Sequence, residues 1–183
     1  MTKALILIDI QTGFDAPFWG PRNNPDAEAN AARLLTHFRN QSRPVFHVMH
    51  LSTDQGSPLS GAGAAIKDIV APIADEPVVT KSVNAAFIGT DLETQLRAHG
   101  ITDLTICGLT TPHCVSTTTR MAANLGFTVT LAHDACASFA RNADTSWSGA
   151  PAMTAQAIHD SAINHLHSEF ATARSVEDIL GHE

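Results

Sequence analysis

No stretch of this chain approaches the roughly 20 consecutive apolar residues that a membrane-spanning helix needs. The nearest, Ala4–Ile10, is short and carries Asp9 within it, so it reads neither as a span nor as a signal peptide. Basic residues are also scarce. Eleven Lys and Arg against 18 Asp and Glu leave a net charge of −7. Without a basic patch, nucleic acid and anionic membranes are poor partners. There are three cysteines, Cys107, Cys114 and Cys136. An odd number without a signal peptide implies free thiols in a reducing cytoplasm rather than a disulfide framework. Internal repeats, linkers and low-complexity tracts are absent as well. A chain of 183 residues, 44% hydrophobic, suits one core better than two, so residues 1–183 are expected to form a single domain.

What is present alternates between two periods. Residues 3–9 form an apolar strand ending in Asp9, followed by an irregular loop with Gly13, Pro17, Gly20 and Pro21. Asn24–Pro25 reads as the cap and first position of a helix running to about Asn40. Pro44–Leu51 is a second strand, 52–64 a long polar loop, and Ala65–Val70 a short helix. Pro77–Lys81 is a third strand. Thr90-Asp91-Leu92-Glu93 has the capping-box pattern for a helix closing at Gly100. Leu104–Cys107 is a fourth strand, ended by Gly108. Thr111 then caps a helix with Pro112 at its first position, closed by Gly126. Phe127–Ala132 is a fifth strand, Met153–Phe170 a helix, Phe170–Ala173 a last strand, and Ser175 opens a final helix. Strands that alternate with helices in this way build βαβ units on a parallel sheet covered on both faces.

A parallel sheet places every strand's carboxyl end on one edge. Asp9, Lys81 and Cys114 all fall there. Alone, Asp9 reads as a turn acid, Lys81 as a solvated cation and Cys114 as a small buried residue. Together they make chemical sense: a thiol, a carboxylate to take its proton, and an ammonium that favours both negative charges. Cys114 also sits in the first turn of a helix, where unpaired N–H groups and the dipole stabilise a thiolate. Phe14, Phe18 and Trp19, three of ten aromatics, lie on the loop after the first strand and read as a pocket wall or a subunit contact.

With these residues in place, the chain resembles the isochorismatase-like cysteine hydrolases over roughly residues 3–180. The resemblance rests on Ile8-Asp9-Ile10-Gln11, on Lys81 to Phe87, on Gly108 to Val115 with its Gly-x-x-Thr-x-x-Cys-Val pattern, on Ser116–Arg120, and on Asp134-Ala135. It implies a three-layer α/β/α fold with a mostly parallel, Rossmann-like sheet of about six strands. It also implies an Asp9–Lys81–Cys114 triad that cleaves the C–N bond of a small amide or imide through a thioester. A cis peptide between Leu109 and Thr110, an oxyanion hole made by the N–H groups of Thr110 and Cys114, and a homo-oligomeric dimer or tetramer follow from the same likeness. Phe14, Phe18, Trp19, Leu51 and Leu109 are the expected substrate pocket. Ether or ester hydrolysis, or small-molecule binding without catalysis, are the alternatives on the same fold.

Some members bind a metal through an Asp and His cluster after the second strand. Here that segment reads His47-Val48-Met49-His50-Leu51, without the Asp-x-His spacing. In a strand His47 and His50 face opposite sides, so no metal and no cofactor is expected. Neighbours on a helix point about 100° apart, which weakens a His113–Cys114 dyad. His159, His165 and His167 read as surface or interface residues.

Overall fold

The computed structural model describes residues 2–181. Its strands are β1 (Thr2–Ile8), β2 (Val45–His50), β3 (Val78–Lys81), β4 (Ile101–Leu109), β5 (Thr128–Ala137) and β6 (Thr172–Arg174). Its helices are α1 (Ala27–Asn40), α2 (Leu92–Ala98), α3 (Ser116–Asn124), α4 (Ala155–Leu166) and α5 (Val176–Gly181). Every strand pair is parallel, in the order β3-β2-β1-β4-β5-β6. Central β1 is buried from Ala4 to Ile8, which is why it reads as a continuous apolar run rather than an alternating one. Leu34, Leu35 and Phe38 of α1, with Leu92 and Leu96 of α2, join these strands in the main core. Each fully buried aliphatic side chain contributes about 1.5–3 kcal/mol.

The strand order reverses between β1 and β4, and ligands bind open α/β sheets outside the carboxyl ends of the strands at that switch point. Gly108 makes the junction possible. Its φ is +130°, and a Cβ there would lie 2.0 Å from the Ile8 carbonyl oxygen. The register with β5 also shifts between Ile106 and Gly108, a bulge that redirects the end of β4.

Several local expectations are corrected. Asn24 does not cap α1: its φ is +41° and its side chain donates to the carbonyls of His133 and Cys136, while Asp26 holds the cap position. Thr90 gives its hydroxyl to the Ala86 carbonyl and Glu93 pairs with Arg97, so no capping box forms, and Asp91 is the cap residue. The helix expected over Ala65–Val70 is replaced by two single 3-10 turns, Gly61–Ala64 and Asp68–Val70. Strand β5 runs on to Ala137 and takes Cys136 into the core. Helix α4 is shorter than expected at both ends, and β6 begins at Thr172. Thr111 is not a cap either. A π-type turn, Thr111–Val115, precedes α3, with Thr110 in the cap position and Cys114 inside the turn.

Candidate active site

Asp9 follows β1 in the left-handed region, φ +51°. Its N–H donates to the Val48 carbonyl at 2.9 Å. Gln11, two residues on and fully buried, ties the neighbouring strand down. Its side-chain amide accepts from the His50 N–H at 2.8 Å and donates to the carbonyls of His50 at 2.9 Å and Ala64 at 2.7 Å. That double contact with one residue imitates a further β partner and fixes the end of β2. His50 and Lys81 are register partners on β2 and β3, so both face the same side of the sheet. Cys114 arrives from the opposite flank on the π-type turn.

These elements converge on the Lys81 ammonium. Nζ lies 2.6 Å from Asp9 Oδ2, 3.1 Å from His50 Nδ1 and 3.3 Å from Cys114 Sγ. The Asp9 and Lys81 side chains are wholly buried, and Cys114 retains 7% exposure. The sulfur also lies 3.6 Å from Asn84 Oδ1. Among the described residues, buried Asp9 Oδ1 has no hydrogen-bond partner. Carboxylate, imidazole and thiol ligand atoms of Asp9, His50 and Cys114 sit within 4.8 Å of one another, a spacing a metal ion can use. Lys81 touches all three, so the middle of this cluster already holds a positive charge.

The electrostatics depart from the expectation of a stabilised thiolate. Burial, and then the Asp9 charge, push the Cys114 thiol up to about 12, and Lys81 only partly offsets them. Burial likewise raises Asp9 above its ordinary value against the pull of Lys81. His50 is lowered by burial and by the Lys81 charge. Burial and the Asp9 charge thus favour a protonated thiol beside a base over a free thiolate.

The peptide bond between Leu109 and Thr110 is cis. The Thr110 carbonyl accepts from the N–H groups of His113 at 3.1 Å and Val115 at 3.3 Å, and Cys114 between them is not among its donors. Of the expected pocket residues, Phe14 and Leu109 are 4% and 1% exposed and belong to a small second core with Leu59, Ala137 and Phe139. Trp19 packs on that core, its ring 4.8 Å from Phe14 and its indole N–H on the Gly13 carbonyl. Phe18 and Leu51 remain 46% and 44% exposed, with the Arg141 guanidinium 4.1 Å above the Phe18 ring.

Three histidines needed the structure. From sequence His50 reads only as a possible metal ligand, although a polar residue at a strand's carboxyl end is signal enough to place it at the site. His47 turns the other way, to Glu76 at 2.8 Å. His159 is not a surface residue: it is 3% exposed, its Nδ1 lies 2.9 Å from the Thr111 hydroxyl, and burial lowers it to about 4. Asn84 lies within the Lys81 to Phe87 motif, and its contact with the sulfur is visible only in the structure.

Comparison with known proteins agrees with this architecture. The isochorismatase domain profile matches residues 3–178. The chain is 43% identical over 181 residues to the isochorismatase family protein YrdC of Bacillus subtilis, covering 97% of this chain and 94% of that one. An isochorismatase-family structure from Chromobacterium violaceum superposes with a TM-score of 0.92 at 40% identity, covering 98% and 92% of the two chains. Streptothricin hydrolase of Streptomyces noursei is 34% identical over 148 residues, 75% of this chain and 50% of its own length. With the profile spanning nearly the whole sequence and the fold matching throughout, the chain belongs to the isochorismatase family of hydrolases.

Proposed function

We propose that Asp9, Lys81 and Cys114 form a catalytic triad that hydrolyses the C–N bond of a small amide or imide through a thioester on Cys114. The observation that carries this reading is the meeting of a buried carboxylate, ammonium and thiol within hydrogen-bond reach of one Nζ. Lys81 occupies Asp9 Oδ2, which leaves Oδ1 as the oxygen able to take a proton. Asp9 removes the thiol proton as Sγ attacks the carbonyl carbon and the C–S bond forms. The N–H groups of Thr110 and Cys114 hold the developing oxyanion, a contribution whose loss typically costs on the order of a hundredfold in rate. The tetrahedral species collapses, the C–N bond breaks, and the amine leaves with the proton from Asp9. Water then gives a proton to Asp9 and adds to the thioester. This second tetrahedral species collapses, the C–S bond breaks, the acid departs, and the sulfur takes back the proton held by Asp9.

A protonated resting thiol suits this scheme, because the proton must travel with the reaction and cannot be shed beforehand. One relative is named streptothricin hydrolase, and for this chain the substrate is proposed to be a small molecule. Phe18 and Leu51 supply exposed apolar surface for it, with Phe14, Trp19 and Leu109 as the rest of the proposed pocket wall. We propose further that the chain works as one domain, in the cytoplasm, as a homo-oligomer.

The test is a panel of small amides, imides, esters and vinyl ethers, with mass spectrometry of the protein during turnover. A C–N substrate, a thioester mass on Cys114, and loss of turnover in Cys114→Ala and Asp9→Asn are expected. Turnover of an ether that survives Cys114→Ala would instead assign ether chemistry. No turnover and no adduct across the panel would leave a binding protein.

A further inference from the structure

An ammonium has three N–H donors and no lone pair. Around Lys81 there are three acceptors: Asp9 Oδ2, Cys114 Sγ and His50 Nδ1. The first two belong to the proposed triad, and the third has no part in it. We propose that His50 is a positioning residue whose Nδ1 lone pair takes the remaining ammonium hydrogen and so holds one Lys81 N–H on the Cys114 sulfur. This deepens the cysteine-hydrolase reading and takes its functional meaning from it.

An ammonium bonded only to Asp9 spins about its Cε–Nζ bond and presents no fixed donor to the sulfur. With two acceptors held by the protein, the direction of the third N–H follows. His50 is held well enough to act this way. Its backbone N–H and carbonyl both bond the side chain of Gln11, and its register on β2 sets it directly beside Lys81 on β3. For Nδ1 to accept from an ammonium, the ring must be neutral with its proton on Nε2. The charged and titratable groups facing the ring are Lys81, Asp9, Cys114 and Asp54. Burial and Lys81 favour the neutral ring, while Asp9 and Asp54 oppose them. Protonation would turn Nδ1 into a donor aimed at a donor, and the ammonium would lose its third partner.

Two measurements test this without any substrate. In the first, the protein labelled with 15N-lysine is examined by NMR. The Lys81 ammonium signal, assigned by its absence in Lys81→Met, is expected to exchange slowly with water at pH 7.5 and to broaden as the His50 ring titrates below pH 6.5. A signal that persists unchanged through that titration overturns the proposal. In the second, the alkylation rate of Cys114 by iodoacetamide at pH 8.5 is followed by mass spectrometry. His50→Leu is expected to slow it by about five- to tenfold, on the scale of up to one pKa unit of lost thiolate stabilisation. His50→Asn, whose side-chain oxygen can replace Nδ1, is expected to keep the wild-type rate. Equal rates in all three proteins, or equal slowing by both substitutions, overturn the acceptor role. Should His50→Leu fail to fold, the NMR titration of the unmodified chain decides. A chain that turns over no amide yet passes both measurements would refute the triad chemistry and leave this role of His50 standing.

Discussion

Replacing Lys81 by methionine keeps the reach of the side chain and removes its charge, and the consequence can be worked out from the site. Both partners of the Asp9–Lys81 pair are wholly buried. Without Lys81, the Asp9 carboxylate keeps its unpartnered Oδ1 and loses the contact at Oδ2 as well. Breaking a buried ion pair from one side typically costs about 3–5 kcal/mol, a large share of a domain's usual stability of about 5–15 kcal/mol. The pH dependence has a definite sign. Burial already raises Asp9 above its ordinary value of 3.8, and Lys81 is the largest influence opposing that rise. Its removal lifts the folded value further. An acid raised in the folded state contributes stability that is full below its unfolded value and is lost as pH rises through the folded value. The penalty of Lys81→Met is therefore greatest near pH 8 and shrinks toward pH 4. Asp9→Asn with Lys81→Met removes both charges and should recover most of the loss, because no ion remains buried. Urea unfolding of wild type, both single variants and the double variant, at about pH 8 and pH 5, measures all of this. A loss below about 1 kcal/mol at pH 8, a loss independent of pH, or strict additivity of the two substitutions would refute the reasoning.

Iodoacetamide should label Cys114 first in the folded protein, since Cys107 and Cys136 are fully buried. With the thiol near 12, the rate should climb about tenfold per pH unit from pH 7 to 10. A plateau below pH 9 would show a depressed thiol instead. Gly108→Ala should destabilise by more than the usual overpacking cost of about 1–3 kcal/mol, because the new Cβ meets backbone at 2.0 Å and φ is +130°. Wild-type urea stability in that variant would contradict the geometry. His159 is lowered to about 4 in the folded chain, so its contribution is full above 6.5 and is lost as pH falls from 6.5 toward 4. His159→Gln should flatten that part of the stability profile, and an unchanged acid slope would count against it.

The sequence by itself determined the class of fold and the edge on which chemistry gathers. Apolar, β-branched runs such as Leu5–Ile8 and Leu104–Cys107 are buried on both faces, so their composition declares a parallel sheet without knowledge of any partner strand. Chain direction then carries Asp9, Lys81 and Cys114 to the same edge. These are local properties, legible one segment at a time. The tertiary structure decided what depends on distant neighbours. Which strands lie side by side is one such property: the β2–β3 register sets His50 against Lys81, though 31 residues separate them. Helix starts are another, for Asn24 found carbonyls of β5, more than 100 residues away, that compete with capping. Desolvation is the third. A cysteine near a helix start with a lysine close by reads as a thiolate from sequence. Burial and the carboxylate of Asp9 push it toward the thiol, because the cost of charge depends on everything packed around it and not on the residues beside it in the chain.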